Sequence, residues 1–355
     1  MISKEEMDMK ALVTGCAGFI GSHTVERLIQ YGMSVIGFDN LSRSGTQLTL
    51  DYLKEKYEGS FIFRHGDVRN VEGVAALFKD FGPFDLIVHE AGQVAVTSSI
   101  VNPRLDFETN AWGTLNLLDT YRICSPSATF IFASTNKVYG CMENLGVVLS
   151  ESRYIYSACR EGVSEAQPLD FHSPYGCSKG AADQYVRDFG RIYGLRTFVF
   201  RQSCIYGTRQ YGMEDQGWVA WFVIAALLDK PITIYGDGFQ SRDLLWIEDL
   251  VDLYIRVFEL KSATRHRVFN VGGGCKNVLS LRELLSMLES MNILKQTPQY
   301  AEAREGDQKT FVADISLVRQ VTGWYPIVAP NVGVDKLAQW VRDHIGDLRK
   351  LCNRK

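Results

Sequence analysis

Apolar runs of strand length alternate with amphipathic stretches through the first part of the chain. Lys10 to Thr14 (KALVT) reads as a first strand, Ser34 to Phe38 as a second and Phe61 to Arg64 as a third. Leu86 to His89, Thr129 to Ala133 and Thr197 to Arg201 follow. Between them, Gly18 to Tyr31, Val71 to Phe81 and Leu105 to Cys124 carry apolar residues at helical spacing. Continuous apolar strands alternating with helices predict a parallel sheet covered on both faces. The expected fold is α/β, a Rossmann-type doubly wound parallel sheet. After about residue 204 turns become frequent (YGTRQYG, YGDGFQ, VGGG), which predicts a smaller, mostly C-terminal α/β substrate domain. The expected division is 1–203 for the dinucleotide-binding domain, with a return to the sheet within 243–271. Residues 204–242 and 272–355 form the second domain.

The first strand runs into Gly15-Cys-Ala-Gly18-Phe19-Ile20-Gly21 and then a helix. That is the setting in which a glycine-rich turn admits a pyrophosphate to a helix N-terminus. The second strand leads to Asp39, eighteen residues after Gly21. A carboxylate there accepts both ribose hydroxyls of NAD and repels a 2′-phosphate; Arg43 is the one nearby residue that favours NADP. Asp67 either faces the adenine or caps the helix that begins at Val71. Ala91-Gly92-Gln93 is small enough to pass close to the cofactor.

Tyr175 and Lys179 lie four apart, so on a helix they share one face. A phenol has a reference pKa of about 10, and an ammonium beside it favours the phenolate. With the Thr135 hydroxyl sharing the proton, the three residues form a device for deprotonating an alcohol while its carbon loses hydride. The spacing arises often by chance; the cofactor turn upstream gives it weight. Arg242 and Arg304 are candidates for a diphosphate, because guanidinium forks match its oxygens. Arg209 and Gln210 are further candidates. Trp218, Trp221 and Phe222 read as core on one helix face, with Trp218 the one placed near a nucleotide base. His172 reads as loop structure and Cys177 as packing.

The net charge of −3 gives no steering towards nucleic acid or an anionic membrane. No apolar run approaches the ~20 residues of a membrane span. The eight cysteines are scattered without a C-x-x-C pair, so neither zinc nor a redox dithiol is expected. Free thiols and a charged N-terminus without an apolar core fit a cytoplasmic protein.

With these motifs, the chain resembles the NAD-dependent epimerase/dehydratase family of extended short-chain dehydrogenases/reductases. The likeness covers the glycine turn, Asp39, Asp67-Val-Arg69, Asn110, Thr135 with Val138-Tyr-Gly140, Tyr175/Lys179, Arg242-Asp243 and Arg304-Glu-Gly-Asp307. Longer strings, Ser134 to Gly140, Leu169 to Tyr185 and Asp215-Gln-Gly-Trp218, resemble the branch that epimerises CDP-linked dideoxy sugars at C2. The resemblance implies tightly bound, recycled NAD and a nucleotide-diphosphate sugar, a CDP-sugar favoured. It implies cofactor contacts from Phe19, Ile20, Asn40, Val68 and Asn110, and a homodimer or homotetramer assembled through the helix carrying Tyr175. Residues 141–168 are the least family-like part, expected as a loop over the active site. Dehydratases of the family carry an acidic pair after the Thr; here Asn136-Lys137 stand there, which favours epimerisation. C4 epimerisation of a UDP-sugar uses the same triad. A non-catalytic NAD-binding redox sensor would have no need of it.

Overall fold

The computed structural model describes residues 9–214, 216–261, 264–304 and 307–353. Asp215, Glu305 and Gly306 of the family-like strings lie outside the described residues. The chain divides into two compact units. The first comprises residues 1–138, 173–201 and 251–269, and the second 139–172, 202–250 and 270–355. The segment 139–172, expected in the first domain, goes with the second.

The first unit is built on a seven-stranded sheet. Its strands are β1 (Lys10–Thr14), β2 (Ser34–Asp39), β3 (Phe61–His65), β4 (Leu86–His89), β5 (Thr129–Thr135), β6 (Arg196–Gln202) and β7 (Arg267–Val271). The order across the sheet is β7-β6-β5-β4-β1-β2-β3, and the pairings among β1 to β5 are parallel. Strand order reverses between β1 and β4, which is where such sheets bind ligands at the C-terminal strand ends. β5 is buried along its whole length, as a strand covered on both faces must be. Helices α1 (Phe19–Gln30), α2 (Thr46–Lys56), α3 (Val71–Phe81), α4 (Gly113–Cys124) and α5 (Ser173–Ile192) belong to this unit.

Two sequence expectations change here. The helix expected from Leu105 to Cys124 is three pieces: Pro103–Phe107, a π-helical turn Glu108–Trp112, and α4. The N-cap of α3 is Asn70, whose side chain accepts from Gly73 N–H at 3.1 Å, so Asp67 is not the cap.

α5 is fastened from below by a buried ion pair. Arg201 of β6 meets Asp183 of α5 through two contacts of 2.9 and 3.0 Å, and Ser134 of β5 donates to the same carboxylate at 2.8 Å. Both ionic side chains are at most 3% exposed. Three elements are thereby locked in one register, so α5 presents a fixed face at the end of β5.

The second unit holds the strand Ser241–Trp246, paired in parallel with Cys204–Tyr206 and Thr310–Phe311 and antiparallel with Val278–Ser280. Residues 141–168 form a 3-10 turn and a hairpin of Val147–Leu149 with Tyr154–Tyr156. Among the described residues no helix is long and apolar enough to cross a membrane.

Candidate active site

The turn after β1 is shaped by steric exclusion. Gly15 has φ +70°, and a Cβ on it would lie 2.7 Å from the Ala91 nitrogen. A Cβ on Gly21 would collide with the Gly15 carbonyl. Only hydrogens fit there, so the backbone after β1 can approach the backbone after β4 at the switch point. Gly18 is the N-cap of α1, with no capping side chain and no acidic residue in the first turn, Phe19 and Ile20 included. A helix start so arranged suits an anion. Asp39 ends β2, and its carboxylate accepts from the Ala17 N–H at 3.0 Å and the Leu41 N–H at 2.8 Å. Burial raises its pKa above the ordinary carboxylate value, against the backbone donors that lower it. The glycine cradle, the open helix start and the anchored carboxylate fit the pyrophosphate and ribose of a dinucleotide.

Asn40 donates to Asp67 at 2.8 Å, and Asp67 pairs with Arg69 at 2.8 Å. Burial pushes Asp67 up, but the bonds from Arg69 and Asn40 outweigh it and bring its pKa to about 2. The Val68 side chain is buried, packed where a Cβ on Gly113 would touch it. Gln93 N–H donates to Asn110 at 2.9 Å, and the Asn110 amide donates back to the Gln93 carbonyl and to Ser178, each at 3.0 Å. A Cβ on Gly92 would stand 3.8 Å from the Lys179 ammonium. Thus the loop 91–93 and the π-turn residue Asn110 meet the helix that carries Lys179.

Thr135, Tyr175 and Lys179 are brought together and buried at 7, 8 and 5% exposure, dry enough for electrostatics to act strongly. Tyr175 and Thr135 share a side-chain hydrogen bond. The Lys179 ammonium sits 4.2 Å from the centroid of the Phe132 ring. Burial pushes the Tyr175 phenol up to about 12, with Asp106 adding to the rise and Thr135 and Arg43 opposing it. Burial brings Lys179 down to about 8, against Glu90, Asp106 and Asp183, which hold it up. The expected lowering of Tyr175 is therefore not what the protein groups alone provide: the phenol rests protonated.

Sequence reasoning missed a supporting layer. Asp106 is fully buried and accepts from Ser178, one residue before Lys179. His89 lies between Thr14 at 2.7 Å and Thr114 at 2.9 Å, with its pKa pushed to about 3 by burial and by Lys179. Glu90 accepts from Tyr254 and is pushed up to about 7 by burial. The partners are far apart in the chain, so no local pattern marks them.

The remaining candidates lie in the second unit. Arg242 donates to Asp307 at 2.8 Å and to the Ser241 carbonyl at 2.8 Å. The Arg304 guanidinium stacks 4.0 Å over the Tyr235 ring, and Tyr235 donates to Glu214 at 2.9 Å. Arg209 holds a left-handed φ of +56°, and the Gln210 amide nitrogen reaches the Ile205 carbonyl at 3.4 Å. The Gln210 carbonyl oxygen is buried without a hydrogen-bond partner among the described residues. Of the aromatic trio only Phe222 is core; Trp218 and Trp221 are half-buried, and Trp218 packs edge-on against Phe222. Cys177, expected in packing, is exposed, since its helix position faces away from Tyr175 and Ser178.

The description of the NAD dependent epimerase/dehydratase family matches residues 11–272. The chain belongs to this family. A CDP-paratose 2-epimerase from Salmonella typhi is 45% identical over 337 residues, covering 94% of this chain and 99% of that protein. Among solved structures, a UDP-glucose 4-epimerase from Thermotoga maritima with UDP-glucose is 30% identical, with a TM-score of 0.81 and coverage of 95 and 100%. A UDP-glucose 4-epimerase from Thermus thermophilus, in complex with NAD, is 31% identical, with a TM-score of 0.77 and coverage of 94 and 99%. This epimerase/dehydratase chain carries its three polar catalytic candidates at the end of β5 and in the first two turns of α5.

Proposed function

We propose that this enzyme epimerises a nucleotide-diphosphate sugar, interconverting CDP-paratose and CDP-tyvelose at C2. The carrying observation is the buried grouping of Thr135, Tyr175 and Lys179 beside a glycine cradle and Asp39. The nature of the sugar rests on the 45% identity to the CDP-paratose 2-epimerase across nearly both chains. Gly15, Gly18, Gly21 and Asp39 would hold NAD, which when bound would supply the hydride acceptor and donor. Once the positive charges of bound NAD and Lys179 favour its phenolate, Tyr175 takes the sugar hydroxyl proton and later returns it to the same oxygen, while the change of face is made by the hydride at C2. The sugar turns between the two steps as a 2-keto intermediate. Lys179 keeps positive charge near the phenolate. Arg242 and Arg304 hold the diphosphate, and Trp218, Arg209 and Gln210 line the nucleotide.

Epimerisation is favoured over dehydration by Asn136. The Thr135 hydroxyl donates to its carboxamide at 3.3 Å and accepts from the Lys137 N–H at 3.2 Å. No carboxylate stands at either position to help expel water. Offered CDP-paratose deuterated at C2, the enzyme yields CDP-tyvelose with the label still on C2. Solvent deuterium at C2 points instead to deprotonation at carbon. Turnover confined to UDP-sugars with inversion at C4 favours the UDP-sugar 4-epimerase reading.

A second copy of the chain is the proposed partner. Val101, Phe107, Trp112, Tyr185 and Ile192 are exposed large apolar side chains on α5 and the segments packed around it. A homodimer or homotetramer covers them, and sedimentation showing a monomer at micromolar concentration sinks this. The eight free thiols suit a reducing cytoplasm.

A further inference from the structure

Three side chains in the second unit, none part of the proposed reaction, are arranged in a line. The Cys141 sulfur lies 3.4 Å from His172 Nδ1, and His172 Nε2 lies 2.9 Å from Asp170 Oδ2. The carboxylate fixes the tautomer: Nε2 carries the hydrogen and donates it, leaving the Nδ1 lone pair aimed at the thiol. That is the order nucleophile, base, orienting acid required to draw a proton from sulfur. All three are open to solvent, His172 at 48% and Asp170 at 65% side-chain exposure, so a small reagent can reach the sulfur.

The backbone beneath is held from several sides. Gly140, directly before Cys141, has φ +62°, and a Cβ on it would collide with the Asp170 backbone oxygen. Its own carbonyl accepts from Gln308, and the preceding Tyr139 donates to Asn270 at 2.7 Å. The close approach of residues 140 and 170 needs glycine, and it is what brings Cys141 to the imidazole. The spacing of 31 residues between Cys141 and His172 hides the pair from a local reading of the sequence.

We propose that Cys141, His172 and Asp170 form a nucleophilic thiol site that takes small hydroperoxides. The thiol proton passes to Nδ1, giving a thiolate beside an imidazolium. The sulfur attacks one peroxide oxygen, the S–O bond forms and the O–O bond breaks. The departing hydroxide, or the alkoxide of an organic hydroperoxide, takes the proton from the imidazolium and leaves as water or alcohol. Cysteine is oxidised by two electrons to the sulfenic acid, and the peroxide is reduced.

The expected size follows from general-base assistance. A base held 3.4 Å from the sulfur can take its proton as the peroxide is attacked, which an isolated exposed thiol lacks. An advantage on the order of ten-fold or more is expected.

The chain carries its own controls. Cys124 is exposed, and Cys275, also exposed, is pushed up by burial and by Glu161, whose carboxylate lies 3.7 Å from its sulfur. The full-length protein is treated at pH 6.5 with hydrogen peroxide and dimedone, and the adducts are mapped by peptide mass. Cys141 accumulates adduct about ten-fold faster than Cys124 and Cys275. In His172→Gln the advantage disappears, and in Asp170→Asn it shrinks. A Cys141 rate equal to that of Cys124 in the wild type overturns the proposal, and this comparison stands without any variant. An undiminished rate in folded His172→Gln also overturns it.

Discussion

Lys179 carries its ammonium 4.2 Å from the centroid of the Phe132 ring, on the helix that also bears Tyr175. A ring face offers a cation some attraction, but far less than the water it replaces. The result is the fall of its pKa to about 8. The folded value lies below the unfolded one, so the unfolded state binds more protons between pH 8 and about 10.5. Charge burial therefore costs the fold roughly 3 kcal/mol below pH 8, a cost that fades as the pH rises towards 10.5. Lys179→Met in the ligand-free protein is expected to lose turnover yet match or exceed wild-type stability at pH 7. Urea denaturation at pH 7 and pH 10 checks this: the advantage of the variant should shrink at the higher pH. A variant less stable at pH 7 by more than about 1 kcal/mol sinks the argument.

Tyr175→Phe keeps the ring and removes the proton carrier. Turnover should fall by about a thousand-fold or more, while NAD and sugar-nucleotide binding stay within about two-fold. The phenol, pushed up to about 12, should also remain protonated in the ligand-free protein. The ultraviolet difference between wild type and variant should show no phenolate from Tyr175 below about pH 10. A phenolate near neutral pH without ligand would mean that the protein groups alone suffice.

Asp183→Ala removes one side of a pair that water does not reach. The buried Arg201 charge then loses the carboxylate that faces it, and the Ser134 hydroxyl loses its acceptor. Loss of stability should be about 3–5 kcal/mol. Asp252→Ala is the control. Its pair with Arg27 is shorter, at 2.7 Å, but lies one-third or more exposed on both sides, so its loss should cost under about 1 kcal/mol. Equal losses, measured by chemical denaturation, contradict the role given to burial.

The parts of the fold and site legible in the sequence are those written in one stretch of chain. β1 and β4 begin and end where the apolar runs do, since a doubly covered strand admits almost no polar residue. The glycine turn and the Tyr175/Lys179 spacing are local for the same reason. The π-turn at 108–112 was hidden, because one extra residue in a helical turn leaves the apolar pattern almost unchanged. Asp106 and Ser178 are 72 residues apart and Arg201 and Asp183 are paired across strand and helix, so neither contact has a local signature. The raised pKa of Tyr175 was hidden too. A one-turn spacing places Lys179 near the phenol, but burial, the larger effect on both groups, is a property of the whole fold.

Asp39 should decide between NAD and NADP. Its carboxylate is fixed by donors from two different places: Ala17, inside the glycine turn, and Leu41, just past the end of β2. The negative charge therefore stands where the adenine ribose of a dinucleotide on this cradle lies. A 2′-phosphate there meets like charge at close range, partly shielded from water. Asp39→Asn keeps the shape and removes the charge. One backbone donor then faces an amide NH2, which should cost the fold about 1 kcal/mol. NAD affinity should drop about ten-fold, because a neutral amide accepts more weakly from the ribose hydroxyls than a carboxylate does. NADP affinity should rise or hold, so the preference narrows by at least the loss for NAD. Arg43, exposed beside Asp39 in the chain, offers the phosphate a partner once the carboxylate is gone. Calorimetric titration of the ligand-stripped variant with both dinucleotides measures the ratio. If the NAD to NADP ratio is unchanged, the ribose is not read by Asp39, and the cofactor does not lie across β1 and β2 as proposed.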